Sequence, residues 1–207
     1  MFARPRPTLL LRGGEAALVA LVSLAHAGCG ADAAPGTWVG AASDSDVVVA
    51  VAEVEGGGLV AYVCGGEATF ATHTRWFQAD SAEGGGFEAA RDGWTVAGEI
   101  DGEAASGTIT GPAGEALSFS ASAVDEGAAL GLFAVEDSGC RTGAVVQAGA
   151  DGEPWLQGTW CDEEDHFAQV TPVAPIELTD RGIRVQVLRA ALGLPDIELH
   201  VARFPAR

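Results

Sequence analysis

Apolar and polar residues alternate with a period of two along most of this chain, and this alternation constrains the fold more than any other feature. In residues 117–123, Leu-Ser-Phe-Ser-Ala-Ser-Ala, one face of an extended strand is apolar and the other carries serines. Similar runs are separated by glycine-rich turns at 56–58, 65–66, 84–86 and 111–114. This spacing predicts an all-β fold, an antiparallel meander that forms a small barrel or sandwich, with little helix outside the N-terminal segment.

The alternating runs define the expected strands and the expected division of the chain. We predict strands at 37–41, 47–54, 59–64, 68–77, 94–100, 103–110, 117–123, 129–135, 141–148, 154–160, 167–173, 176–179, 183–188 and 197–204, with one helical turn in 189–194. An antiparallel β domain is expected over 36–136. A further β segment over 137–207 either packs on that domain or forms a small second subdomain.

The N-terminal residues have the organisation of an export signal. Arginines are followed by an apolar run too short to span a bilayer and then by small residues: Arg4, Arg6, Arg12, Ala16 to Ala25, Ala27 and Gly28. Residues 1–28 are therefore predicted to be a signal peptide. Cys29 after Ala-Gly resembles the lipobox of bacterial lipoproteins, which predicts lipidation of Cys29 with 29–35 as a tether. His26 departs from that motif, and a plain secretory cleavage near Ala27 is the alternative.

The mature protein is expected to be extracytoplasmic under either alternative. It is lipid-anchored to the cell envelope if Cys29 is acylated, and it is secreted if cleavage occurs near Ala27. The removed segment carries three arginines and Glu15, a net +2, so the mature chain holds −18 − 2 = −20. Such an acidic surface repels the phosphates of nucleic acids and anionic lipid headgroups. Nucleic-acid binding is excluded on this ground, and the membrane is expected to be contacted through the lipid anchor only.

The spacing of the cysteines predicts one disulfide. Cys140 and Cys161 flank two expected strands, and their midpoint coincides with the centre of the turn at 149–152. Residues opposed across a hairpin are close enough to be bridged, so we predict a Cys140–Cys161 bond. Cys64 is then either a buried thiol or the partner of an unacylated Cys29, and in that second case four cysteines allow three pairings.

A succession of strand-packing motifs carries a family resemblance. These motifs are Gly36 to Gly40, Val48 to Val51, Ala61 to Gly66, Arg75 to Phe77, Gly107 to Thr110 and Phe119 to Ala121. Together they resemble a group of uncharacterised extracytoplasmic β-rich proteins and lipoproteins of high-GC bacteria, over residues 36–135. The resemblance implies a fold and a compartment and supplies no activity. Such proteins usually carry an acidic residue in the turn after the cysteine, where this chain has Gly66.

The candidates for chemistry are few. The mature chain offers His73, His166 and His200 as bases, and neither a G-x-S-x-G elbow nor a Cys-His signature accompanies them. His73 and His200 lie in expected strands, where a structural histidine is the favoured interpretation. We therefore predict a non-catalytic envelope or binding module. The alternative is an extracytoplasmic hydrolase or metal-dependent enzyme that uses the acidic cluster at 162–166.

That cluster and one tryptophan are the remaining candidate sites. Asp162, Asp165 and His166 have ligand types suited to a hard cation such as calcium, but the spacing is not that of an EF-hand, so a solvated acidic loop is the alternative and no cofactor is required. Trp155 follows Pro154 beside a turn and has the most favourable position for exposure. An exposed ring of this kind stacks on a glycan or a protein partner. The sequence does not specify which of the two partners it binds.

Overall fold

Fourteen β-strands make up nearly all of the regular structure in the computed structural model, which describes residues 36–80, 84–125, 128–137, 139–164 and 166–205. The strands are β1 Thr37–Ala42, β2 Val48–Val54, β3 Gly58–Cys64, β4 Arg75–Asp80, β5 Gly86–Arg91, β6 Trp94–Asp101, β7 Ala104–Thr110, β8 Ala116–Ala123, β9 Gly131–Asp137, β10 Cys140–Ala148, β11 Pro154–Cys161, β12 Phe167–Pro172, β13 Ile183–Leu188 and β14 Ile197–Arg203. Two single turns of helix, Phe70–His73 and Ala190–Leu192, interrupt them. The all-β prediction is confirmed.

Strands β1 to β8 form an antiparallel meander in one curled sheet. Their order is β4-β3-β2-β1-β8-β7-β6-β5, so each strand lies beside its neighbour in the chain and β8 returns to pair with β1. The two end strands, β4 and β5, share no ladder. The Arg91 Nη1 atom donates a hydrogen bond to the Trp76 carbonyl at 3.3 Å across this gap. The first sheet is therefore an eight-stranded, barrel-like meander with a slit between β4 and β5.

Strands β9 to β14 form a second, closed barrel. Each pairs antiparallel with the next, and β14 closes the barrel on β9 through the pairs Ala202–Ala134 and Arg203–Phe133. Strand pairing thus changes from one sheet to the other between Ala123 and Gly131, which is earlier in the chain than the expected division at 136/137. Both sheets belong to one compact unit, Ala34–Arg207. The expected signal peptide, the tether and Cys29 lie outside the described residues.

Three apolar clusters follow from the period-two pattern, because successive side chains leave a strand on opposite faces. On β2, Val49 and Val51 point into the first sheet with Phe77 and Trp94, while Val48 and Ala50 point toward the second barrel. Strand β2 is buried on both faces, and this explains why its sequence is a continuous apolar run. The third cluster fills the closed barrel with side chains that include Phe133, Val146, Trp160, Val170, Val185 and Val187.

The two barrels pack against each other through a layer that β2, β3, β9 and β10 supply. Tyr62 is fully buried there, stacks on Trp76 with ring centroids 4.3 Å apart, and donates a hydrogen bond from its hydroxyl to the Gly143 carbonyl at 3.1 Å. Leu132 and Val145 complete the apolar contact from the second barrel. This layer holds the two barrels together.

Three local expectations were wrong. The expected strand at 68–77 is a loop and one helical turn as far as His73, and β4 begins only at Arg75. The strand β5 was not expected, because glycines at 84–86 conceal the short alternation that follows. Residues 176–179 form no strand and contribute only the isolated bridge between Thr179 and Gly182.

The Cys140–Cys161 disulfide is present, as predicted. Its Cα atoms lie 5.8 Å apart, and the ladder between β10 and β11 runs from Ala148–Pro154 to Gly143–Thr159. The bond therefore lies just beyond the last paired residues and ties the open end of the hairpin. Cys64 is a free, fully buried thiol.

Candidate functional site

Two concave surfaces lie beside the layer between the barrels. The first, a groove of about 830 Å³, is lined by Ala41, Ser45, Asp46, Val47, Val48, Gly66, Glu67, Ala68, Gln147, Trp155, Gln157 and Gln169. We call it the Trp155 groove. The second, a cleft of about 800 Å³, includes three arginines, Arg75, Arg91 and Arg141, and we call it the arginine cleft. Their chemistry differs, so each is described separately.

Trp155 is the main exposed aromatic residue of the groove. It lies one residue into β11, after Pro154, and is paired across the ladder with Gln147. The residue is 45% exposed, although tryptophan is usually largely buried in a strand. A second hollow of about 580 Å³, formed by the turn after β10, also includes Trp155 in its lining. Trp155 is therefore shared by two depressions.

Polar side chains hold the opposite wall of the Trp155 groove in place. Gln157 donates from Nε2 to the Asp46 carbonyl at 2.9 Å and to the Cys64 carbonyl at 2.7 Å, which joins β11 to the first sheet. The Asp46 carboxylate accepts a hydrogen bond from Thr69 Oγ1 at 2.6 Å and another from the Ala68 N–H at 2.9 Å. The Thr69 hydroxyl is the main cause that lowers the pKa of Asp46. An ionised carboxylate is thus held at the edge of the groove.

The same contacts explain why residue 66 is a glycine. A Cβ atom at Gly66 would lie 2.7 Å from the Cβ, carbonyl and Oδ2 atoms of Asp46. A side chain at position 66 and the Asp46 arrangement exclude each other.

The arginine cleft lies at the other end of the disulfide-bonded hairpin. Arg141 forms an ion pair with Glu136 at 2.5 Å and lies over the Trp76 ring at 5.2 Å. Arg91 forms an exposed ion pair with Asp92 at 3.3 Å. The disulfide-bonded Cys140 and Cys161 also line the cleft. The arginines enter from β4, β5 and β10, so only the folded chain brings them together.

Arg75 differs from the other two arginines because its guanidinium lacks hydrogen-bond partners. Its Nε and Nη1 atoms are buried and unpaired among the described residues, and Arg75 is the only charged residue with such atoms there. The guanidinium lies 4.3 Å from the centroid of the Trp94 ring, a favourable cation–π distance. Burial lowers the pKa of Arg75. A buried donor without a partner costs about 1–3 kcal/mol, so this arrangement calls for a physical explanation.

The acidic cluster at 162–166 forms a tight turn around Asp162. The Oδ1 atom of Asp162 accepts hydrogen bonds from the N–H groups of Glu164 and His166, both at 3.0 Å, and its Oδ2 atom lies 3.0 Å from His166 Nδ1. Desolvation opposes ionisation, but the contacts with His166 and the hydrogen bond from the Glu164 N–H together outweigh it and lower the pKa of Asp162. Among the described residues no group of three His, Cys, Asp or Glu side chains has the geometry to hold a metal ion. Asp165 lies outside the described residues, so the calcium site stays a prediction.

The three histidines occupy different elements. His73 ends the helical turn, where its ring lies edge-on to Trp94 at 4.8 Å, and burial lowers its pKa. His166 lies in the turn before β12, and His200 is exposed on β14. No hydrogen bond or ring contact among the described residues joins two of them. The expected strand position of His73 was wrong, because its run of threonines belongs to the helical turn.

Sequence reasoning identified Trp155 and missed Arg75 and Gln157. Residues 29–207 contain 11 − 3 = 8 arginines and no lysine. Three of these few cations lie in one cleft, and their positions in the sequence gave no sign of that proximity.

Comparison with known proteins gives no further identification. The chain matches no family model, no curated protein and no solved structure. Within the described part of the chain, no helix has the length and apolar character needed to cross a membrane.

Proposed function

We propose that this chain is an exported, lipid-anchored, non-catalytic module of the cell envelope that binds a neutral glycan in the Trp155 groove. The observation that carries the proposal is an exposed indole ring in a groove whose described lining contains polar groups and no arginine or histidine. The barrel interiors are filled by packed side chains and the histidines are apart, which also favours binding over catalysis.

The chemistry of the lining favours a neutral sugar. An indole face stacks on the apolar C–H face of a sugar ring, while the hydroxyl groups at its rim need acceptors and donors. Asp46 and Glu67 supply carboxylates, and Gln147 and Gln169 supply amides, all around the same groove. Two carboxylates without a compensating cation disfavour uronic acids and phosphorylated sugars.

The extracytoplasmic location rests on two observations. The Cys140–Cys161 disulfide is compatible with an oxidising compartment outside the cytoplasm. The lipobox-like sequence before Cys29 supports the anchor. Mass spectrometry of the N-terminus tests this part: an acylated Cys29 that is lost in Cys29→Ser supports the anchor, and an unmodified terminus near Gly28 contradicts it.

Binding is tested by retention of the full-chain protein on a panel of immobilised neutral and uronic oligosaccharides. We expect retention on a neutral member and its loss in Trp155→Ala. Leu194→Ala is the matched control, since Leu194 is also an exposed large apolar residue, at 37%, and lies outside the described lining of the groove. Retention of Trp155→Ala equal to that of the wild type contradicts the proposal, as does the absence of retention on every member.

The hydrolase alternative is supported only by the residue types of the acidic cluster at 162–166. Asp162 lines the arginine cleft, whereas His166 does not belong to the described lining of that cleft. An assay of the same glycan panel for released reducing ends, with Asp162→Asn as the inactive comparison, distinguishes an enzyme from a binding module.

A further inference from the structure

We infer that the arginine cleft binds the carboxylate group of a small monocarboxylate with an aromatic or other apolar body, and that Arg75 is the principal cation of this site. The inference is independent of the glycan proposal, because it concerns a different surface. The residues that carry it are Arg75, Arg91, Arg141, Trp76 and Phe167, all in the lining of the cleft.

The first step is the unmet hydrogen-bonding capacity of Arg75. Two of its three guanidinium nitrogens are buried without a partner, and no carboxylate within the described part of the chain forms an ion pair with it. The third nitrogen, Nη2, has no partner there either and does not belong to the buried set. Trp94 holds the plane of the group from one side. Because Nε and Nη1 have almost no accessible surface, a carboxylate from outside first meets this guanidinium at the Nη2 atom.

The second step is that the neighbouring cations are already in use. Arg141 is paired with Glu136, and Arg91 is divided between Asp92 and the Trp76 carbonyl. Each of these two arginines is neutralised by its own carboxylate, so neither competes for the Arg75 ligand. Arg75 is therefore the one arginine of the described lining that forms no ion pair.

The third step concerns the charge that the cleft tolerates. Four carboxylate residues, Asp92, Glu136, Asp162 and Glu163, share the lining with the three arginines. This lining repels a phosphate group or a polyanion more strongly than a single carboxylate, because repulsion grows with the charge of the ligand, and a single carboxylate at Arg75 supplies the partner that this residue lacks. The apolar part of the ligand has the Trp76 ring and the exposed Phe167 ring to pack against. These limits define a monocarboxylate with an apolar body.

The test uses benzoate as the probe and benzamide as its neutral isostere. Calorimetric titration of the full-chain protein should show benzoate binding and no benzamide binding. In Arg75→Gln the benzoate affinity should fall about tenfold or more, because a charge-assisted pair is replaced by an amide. Arg184→Gln is the matched control, since Arg184 is an arginine on β13 that pairs with Glu198 and lies outside the described lining. Equal binding by Arg75→Gln and the wild type, or no benzoate binding by the wild type, overturns the inference.

A second measurement avoids dependence on the folding of Arg75→Gln. Each of the five tryptophans carries one indole N–H group, which an NMR spectrum of the wild type follows once its signal is assigned. Benzoate should shift the signals of Trp76 and Trp94 and leave that of Trp155 unchanged. Shifts confined to Trp155, or no shifts at all, overturn the inference and leave the glycan proposal to its own test.

Discussion

At the residue scale, the disulfide between Cys140 and Cys161 makes a measurable contribution to stability. It closes a loop with a sequence separation of 21, for which the chain-entropy model gives about 3 kcal/mol. We expect Cys140→Ser to lower the free energy of unfolding by about that amount in urea denaturation. Reductant should destabilise the wild type and leave Cys140→Ser unchanged, and an equal response of both would contradict the argument.

Cys64 is expected to be chemically inert in the folded protein. Its side chain is fully buried, and burial is the main cause that raises the pKa of its thiol. The thiolate that reacts with alkylating reagents is therefore scarce and inaccessible at neutral pH. Alkylation by iodoacetamide should follow global unfolding in a denaturant series, and rapid labelling of the native protein would show that the site opens locally.

The lowered pKa of Asp46 predicts that the stability of the fold decreases as the pH falls in the acidic range. The hydrogen bond from Thr69 lowers the pKa of Asp46 in the folded state. A carboxyl group with a lowered folded-state pKa adds stability above its unfolded pKa, and this stability is lost as the pH falls through the folded value. We expect Thr69→Val to reduce the slope of stability against pH in the acidic range, while Thr69→Ser retains it. An identical slope for both variants would contradict this assignment.

At the scale of elements, the contact between β3 and β10 depends on a residue without a side chain. A Cβ atom at Gly143 would lie 2.5 Å from Tyr62 Cζ and 2.7 Å from Trp76 Cζ2, both in the layer between the barrels. Gly143→Ala should therefore destabilise the protein by about 1–3 kcal/mol in chemical denaturation, the usual cost of overpacking. In Gly58→Ala the nearest atom is Val54 Cγ2 at 3.2 Å, the end of a side chain, so a much smaller effect is expected. A loss in Gly143→Ala no larger than in Gly58→Ala would show that the interface repacks freely.

The strands and turns differ in how well the sequence alone predicts them. The β10–β11 hairpin and its disulfide were predictable, because a glycine turn and two equidistant cysteines encode local geometry. The helical turn at Phe70–His73 was missed because a period-two reading cannot recognise a tertiary constraint such as Thr69 bound to Asp46. The continuous apolar run of β2 does contain the signal for burial on both faces. The run does not say which strands cover it.

The candidate sites depend almost wholly on tertiary structure. Trp155 was accessible to sequence reasoning because a proline and a turn flank it. The arginine cleft was not, since Arg75 and Arg141 meet only when two barrels pack side by side. The alternation of a strand predicts the face that a side chain occupies, and it carries no information on the neighbouring sheet.

At the scale of the whole molecule, net charge governs the response to salt. The full chain carries a net charge of −18, and residues 29–207 alone carry −20, so repulsion among the carboxylates destabilises the compact state. Added salt screens this repulsion, so we expect the melting temperature to rise with ionic strength. Each 1 kcal/mol gained should raise it by about 2–4 °C for a chain of this size. Sodium, magnesium and calcium salts at matched ionic strength should give the same rise, because screening depends on ionic strength and not on the identity of the cation.

The same experiment decides the calcium prediction for the turn at 162–166. An additional rise with calcium that EDTA reverses would contradict pure screening and would indicate an oxygen-rich cation site. Asp162→Asn assigns such a rise to this turn if it abolishes the effect. Arg184→Gln is unsuitable as a comparison here because it makes the net charge more negative. Asp44→Asn removes one negative charge, as Asp162→Asn does, in the acidic turn between β1 and β2 of the first sheet. A calcium effect lost in Asp162→Asn and kept in Asp44→Asn would place the ion at Asp162, and equal curves for both variants would leave screening as the complete explanation.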